Sequence, residues 1–197
     1  MRHPAKVIAA LAIALFLLSA CSNDGGGGGD GGGGGGQTVP PETYVQGLCT
    51  SVQSYVDDIT TLSTGFAAGI DPAASADEQK QAVLGFLDEA LALTDGLIED
   101  VDATGVPDVD EGATVVAAIA SSFEQARGVL EDARARVEAA STDDPQAFAA
   151  ELNDVGATIQ SSLGDIGGSL DLVESPELAT AAADEPACSA LAGAVGG

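Results

Sequence analysis

Four runs of apolar residues, spaced alternately three and four apart, leave this chain little choice but helices. The first run is Val45, Leu48, Val52, Tyr55, Ile59, Leu62 and Phe66; the second is Val83, Leu87, Ala90, Thr94, Leu97 and Val101. The third is Val116, Ile119, Phe123, Ala126, Leu130, Ala133 and Val137, and the fourth Leu152, Val155, Ile159, Ser162, Ile166, Leu170 and Val173. Such spacing returns each side chain to one face of a helix with 3.6 residues per turn. No alternating, β-branched stretch bounded by hairpin turns competes with it.

Helix-start chemistry precedes three of the runs. Pro41 and Glu42 suit a first turn, Ser75 and Glu78 have the spacing of a capping box, and Asp144 stands as an N-cap before Pro145. Helices of about 25 residues joined by roughly 5 to 10 predict an all-α fold, an antiparallel up-down-up-down four-helix bundle. Ser175-Pro176-Glu177 opens a further short segment that carries Cys188 past Pro186. It reads as a C-terminal helical clasp laid across the first helix, where Cys49 sits on the edge of the apolar stripe.

The start of the chain is of another kind. Arg2 and Lys6 precede an apolar run over residues 7–18, too short for a bilayer that needs about 20 residues and fitted to a signal-peptide core. The run ends in Leu18-Ser19-Ala20-Cys21, which resembles the lipobox of bacterial lipoproteins. That resemblance implies that residues 1–20 are removed, that Cys21 carries diacylglycerol, and that the protein is anchored in the cell membrane, facing the extracytoplasmic side. Residues 21–40 follow as a tether, with glycine throughout 25–29 and 31–36. Such tracts lose much backbone entropy on ordering and bring no side chain to pack. As a flexible coil of about 18 residues the tether reaches roughly 20 to 25 Å. Residues 41–197 form the bundle domain.

With Cys21 lipidated, Cys49 and Cys188 remain as an even pair in an exported domain, where disulfides persist, and are expected to be bonded. The whole arrangement of lipobox, tether, Ala-rich helices, an early Cys in the first helix and a late one near the C-terminus resembles small helical lipoproteins of actinobacteria. The resemblance carries location and no activity.

Residues 21–197 hold 4 basic and 31 acidic side chains, a formal charge of −27. That charge repels phosphate backbones and anionic headgroups, which argues against nucleic acid as a partner and against electrostatic adhesion to lipid. It serves either solubility alone or attraction of a cationic partner. The only histidine is His3, so beyond the signal peptide there is no histidine for a triad or an imidazole metal site. Carboxylate neighbours such as Asp57 with Asp58, or Glu131 with Asp132, splay apart on a helix, whereas glycoside hydrolysis needs two facing each other across a cleft. The glycine tracts follow no strand and contain no Gly-Lys-Ser or Gly-Lys-Thr, so they are not phosphate loops. Arg127 with Glu131, Asp132 with Arg136 and Arg134 with Glu138 are spaced as surface ion pairs. A non-enzymatic protein is expected.

One constellation is sharper. From Asp100 to Glu111 the chain resembles an EF-hand calcium loop, which needs oxygens at fixed spacing and a sharp turn at its glycine, here Gly105. The resemblance implies Asp100, Asp102 and Thr104 as side-chain ligands, Val106 as a carbonyl ligand, Asp108 through water and Glu111 as the bidentate ligand. Thr104 and Pro107 depart from the usual pattern. The same residues also read as a helix connection, with Asp108 as N-cap and Glu111 reaching back. The functional expectation is a monomeric, membrane-anchored interaction or accessory module with an unidentified envelope partner and no cofactor. The alternative is a binder of calcium or of a small apolar ligand held between helices near Thr94 and Ser162.

Overall fold

The computed structural model describes residues 36–71, 73–170 and 175–195, with side chains over 164–170 and 192–195 left aside. Cys21, the signal peptide, most of the tether, Val173 and the Ile166 and Leu170 side chains lie outside the described residues. Within them the chain is mostly helical. Four long helices, α1 (Pro41–Gly69), α2 (Ala76–Ala103), α3 (Gly112–Ala139) and α4 (Pro145–Leu170), precede two short ones, α5 (Pro176–Asp184) and α6 (Pro186–Val195). Two short strands, β1 (Thr38–Val39) and β2 (Val106–Pro107), pair in parallel.

The helix starts follow their local chemistry. Pro41 occupies the first turn of α1, where its missing N–H is not needed. Before α2, the Ser75 hydroxyl accepts from the Glu78 amide while the Glu78 carboxylate accepts from the Ser75 amide, a complete capping box. Asp144 Oδ1 accepts from the amides of Gln146 and Ala147, and the Ser175 hydroxyl from that of Leu178. These bonds satisfy N–H groups that a helix cannot pair within itself.

Consecutive long helices pack together, α1 on α2, α2 on α3 and α3 on α4, while α5 and α6 both pack on α1. Side-chain bonds between them pair rising with falling residue numbers. Tyr55 of α1 bonds Thr94 of α2, Arg127 and Arg134 of α3 reach Asp95 and Asp88 of α2, and Arg136 of α3 reaches Glu151 of α4. With the Phe66 ring of α1 also against Phe86 of α2, α2 runs back along α1 and α3 back along α2.

The interior forms two clusters. One gathers Ile59, Val83, Phe86, Leu87, Ala90, Leu130, Ala133, Val137, Phe148, Leu152, Val155 and Ile159. The other gathers Tyr44, Val45, Leu97, Val101, Val115 and Ile119 with Leu178 of α5, backed by Ala181, Ala182 and Cys188. The second apolar stripe is buried throughout. On α3 the burial slips by one residue toward the N-terminus, so that Val115 and Ser122 are buried while Val116 and Phe123 are half-buried. A strict seven-residue repeat drifts by about 20° per heptad on a straight helix. Over three heptads that moves the buried line most of the way to the neighbouring residue.

The arginines do more than the expected pairing along one helix. Arg127 bonds both Asp95 and Glu131, and Arg134 both Asp88 and Glu138. The expected Asp132–Arg136 pair is replaced, because Arg136 turns to Glu151 and Asp154 across the α3–α4 contact. Two carboxylates of another helix offer its guanidinium several directed bonds at once. Lys80 Nζ donates to the carbonyls of Glu138 and Ala140 at the end of α3, where helix carbonyls lack partners.

Leu87→Ala should lower the unfolding free energy by about 2–5 kcal/mol, since it leaves a cavity in the larger cluster. Arg134→Ala should cost less than about 1 kcal/mol, because its ion pairs are part-exposed. Urea unfolding of the two variants tests the order, and a larger loss for Arg134→Ala would reverse it.

Candidate functional site

The segment from Asp100 to Glu111 is built as a connection. α2 runs on through Ala103, so Asp100 and Asp102 sit on its last helical turn, with buried Val101 between them anchoring the turn to the core. The Thr104 hydroxyl donates to the Asp100 carbonyl. Gly105 then takes a positive φ of 92°, in the region open to glycine. The Val106 amide donates to the Gln37 carbonyl at 3.0 Å, and the Asp108 amide to the Val39 carbonyl at 2.8 Å. The tether, expected unpacked as far as Pro40, is thus docked over residues 37–39. Thr38 and Val39, a β-branched pair before Pro40, were the available sequence signal for a strand.

This geometry differs from that of an EF-hand. An EF-hand needs its ligands in one loop wrapped around the ion, whereas here two carboxylates lie on a helix and Val106 and Asp108 belong to the strand pairing. Among the described residues no group of three or more His, Cys, Asp or Glu side chains is placed to hold a metal. The expected N-cap at Asp108 is corrected. Glu111 is the N-cap residue of α3, with φ 59° and no side-chain capping bond. Glycine is required next, because a Cβ on Gly112 would collide with the Pro107 carbonyl.

The disulfide expectation is met: Cys49 of α1 and Cys188 of α6 are bonded, with their Cα atoms 5.1 Å apart. The bond ties the clasp to α1 across a separation of 139 residues, which stabilises the fold by roughly 2–5 kcal/mol. Under the clasp, Tyr44 is 1% exposed and its hydroxyl has no partner among the described residues. Burial pushes its phenol up to about 12. Tyr55 is raised for the same reason, against the lowering effect of its Thr94 hydrogen bond. Thr94, one of the two polar suspects on the apolar stripes, is fully engaged with Tyr55 and the Ala90 carbonyl. Ser162 is half-buried.

A cavity of about 340 Å³ lies at the turn between α1 and α2. Phe66 and Ile70, Val83 of α2 and Leu152 of α4 wall it with apolar surface, and exposed Asp71 and Glu78 stand at its edge. The stripes locate each of these residues on its own helix. They do not say how closely α1 and α4 approach at this end.

Gly105→Ala should destabilise the fold by about 1–3 kcal/mol, because its Cβ would stand 2.5 Å from the Gln37 carbonyl oxygen at a φ that alanine disfavours. Millimolar calcium should shift the melting temperature no more than magnesium does; a calcium-selective rise would restore the ion site. For Tyr44, the unfolded phenol ionises near 10.0 while the folded one keeps its proton to about 12. Its burial therefore supports the fold below pH 10 and loses that support as the pH rises through this window. Tyr44→Phe should flatten that alkaline loss. It should also stabilise the protein at neutral pH by about 1 kcal/mol, by deleting a buried unpaired hydroxyl. Urea unfolding at neutral and alkaline pH reads both effects, and a neutral-pH loss in the variant would show the hydroxyl to be paired. Comparison with family models, with curated proteins and with solved structures finds no match for this chain.

Proposed function

We propose that the chain is a lipid-anchored extracytoplasmic protein of a bacterial cell membrane, acting as a monomeric, non-enzymatic interaction or accessory module. The observation that carries this reading is Leu18-Ser19-Ala20-Cys21 directly ahead of the glycine tract. Diacylglycerol on Cys21 supplies a two-chain anchor, where a single chain holds only marginally. The tether then confines the domain near the membrane, which raises its effective concentration toward partners there.

In this reading α1 to α4 close into an antiparallel up-down-up-down four-helix bundle, and α5 with α6 form the clasp that covers its end. The alternating direction of consecutive helices and the shared cluster of Ile59 with Leu152, Val155 and Ile159 support the closure. Among the described residues no helix is long and apolar enough to cross a membrane. A binding role is favoured over chemistry by the side chains on hand. His3 is the only histidine, Cys49 and Cys188 are bonded to each other, and each Lys and Arg of residues 36–197 is engaged in bonds to another helix.

Metabolic labelling with an alkyne fatty acid in a bacterial host tests the anchor. The full chain should take up label and sediment with membranes. Cys21→Ser should take up none and leave the membrane fraction. Equal labelling of both proteins, or membrane retention without label, overturns the proposal.

A further inference from the structure

We propose that the cavity at the α1–α2 turn is a binding site for a small amphiphilic cation, an alkylammonium whose apolar body enters between α1 and α4 and whose charged head meets Asp71 and Glu78. The inference concerns the folded domain and is independent of the anchor.

The space follows from how the helices meet. α1 packs on α2 and α4 packs on α3, and α1 and α4 share no extensive contact. At the turn the cavity holds about 340 Å³, at the lower end of the range for small-molecule sites. The walls are already ordered, since Val83 and Leu152 are buried and the Phe66 ring lies 4.8 Å from that of Phe86. On α1, one turn before Phe66, Ser63 is buried and its hydroxyl has no hydrogen-bond partner among the described residues.

Charge selects the head group. Asp71 Oδ1 accepts from the Ala73 amide at 2.8 Å, and Glu78 Oε2 from the Ser75 amide and hydroxyl at 2.8 and 2.7 Å. Both carboxylates are thereby fixed in place, each with its second oxygen free of a described hydrogen bond. The nearby cation, Lys80, is committed to the carbonyls of Glu138 and Ala140. The capping box occupies α2 N–H groups that would otherwise favour an anion. The acidic field of the domain adds long-range attraction for positive ligands. Access is open as well. The 29 residues of α1 place the cavity about 43 Å from the end where the chain leaves toward residues 1–35.

The test uses the full chain with octylammonium, octanol and octanoate, each below its micelle concentration, followed by calorimetry and methyl NMR. Octylammonium should bind saturably and move the methyl signals of Ile70, Val83 and Leu152. Octanol should bind about tenfold more weakly and octanoate more weakly still, with the difference shrinking at high salt. Asp71→Asn with Glu78→Gln keeps the local hydrogen bonding, since an amide can serve in both turns. It should reduce octylammonium to the affinity of octanol while leaving octanol unchanged. The proposal is overturned if octylammonium does not saturate, if octanol binds equally well, if the double variant binds like wild type, or if the shifted methyls lie elsewhere. Because the methyl map is read on the unmodified protein, the outcome stands even if the variant misfolds.

Discussion

A domain with this excess of carboxylates must keep its negative charges from pushing its helices apart, and α3 is where that constraint is met. Like charges at close range destabilise a compact state. The basic side chains of residues 36–197 are Lys80, Arg127, Arg134 and Arg136, and each lies at a contact between α3 and a neighbour. Arg127 and Arg134 each join a carboxylate of α2 to one of α3, and Arg136 holds two of α4. Lys80 closes the last turn of α3 from α2. Hydrogen bonds to these carboxylates raise the pKa values of the three arginines further, so they stay charged. Their side chains are 36–40% exposed, and exposed pairs contribute little energy. What they supply is register: they fix which turn of α3 faces which turn of α2 and α4, and the buried clusters supply the stability.

The two ends of the molecule are closed by different means. At the α1–α2 turn four long helices contribute to the core, and at the other end α5 and α6 share the apolar face of α1 with α2 and α3. Helices of 9 and 10 residues are marginal by themselves in water. Leu178 is the buried apolar contribution of α5, so the Cys49–Cys188 bond accounts for much of the hold on the clasp. The same end carries the buried Tyr44 hydroxyl, a polar atom that no described residue satisfies, at a cost to stability.

Local chemistry was what the sequence made legible. The 3–4 stripes located the long helices, Ser75, Asp144 and Ser175 marked true starts, and the pairing of Cys49 with Cys188 followed from a count of cysteines. The shape of the connection from Asp100 to Glu111 was not legible because it depends on Gln37 and Val39, more than sixty positions earlier, whose carbonyls accept from Val106 and Asp108. A spacing of oxygens in a short window carries no information about such a partner. Arg136 was misread for a related reason, since pairing at i and i+4 considers one helix while Glu151 and Asp154 lie on the next. The cavity was invisible because it is a property of how closely α1 approaches α4, and apolar stripes specify faces without specifying distances.

The acidic residues of this connection have a physical consequence. Glu99, Asp100 and Asp102 occupy the last turn of α2, the negative end of its dipole, and α2 has no basic residue there. Asp108, Asp110 and Glu111 are exposed beside them. The fold tolerates this concentration because Val101, Pro107 and Gly105 are buried and the docked residues 37–39 pin the backbone. This is also the end from which the chain leaves toward residues 1–35. On the proposed anchoring it is the face turned toward the headgroups, and its charge repels an anionic surface over roughly a Debye length, about 8 Å at physiological salt. Beyond that distance the repulsion is screened, and the cavity lies at the opposite end of the molecule.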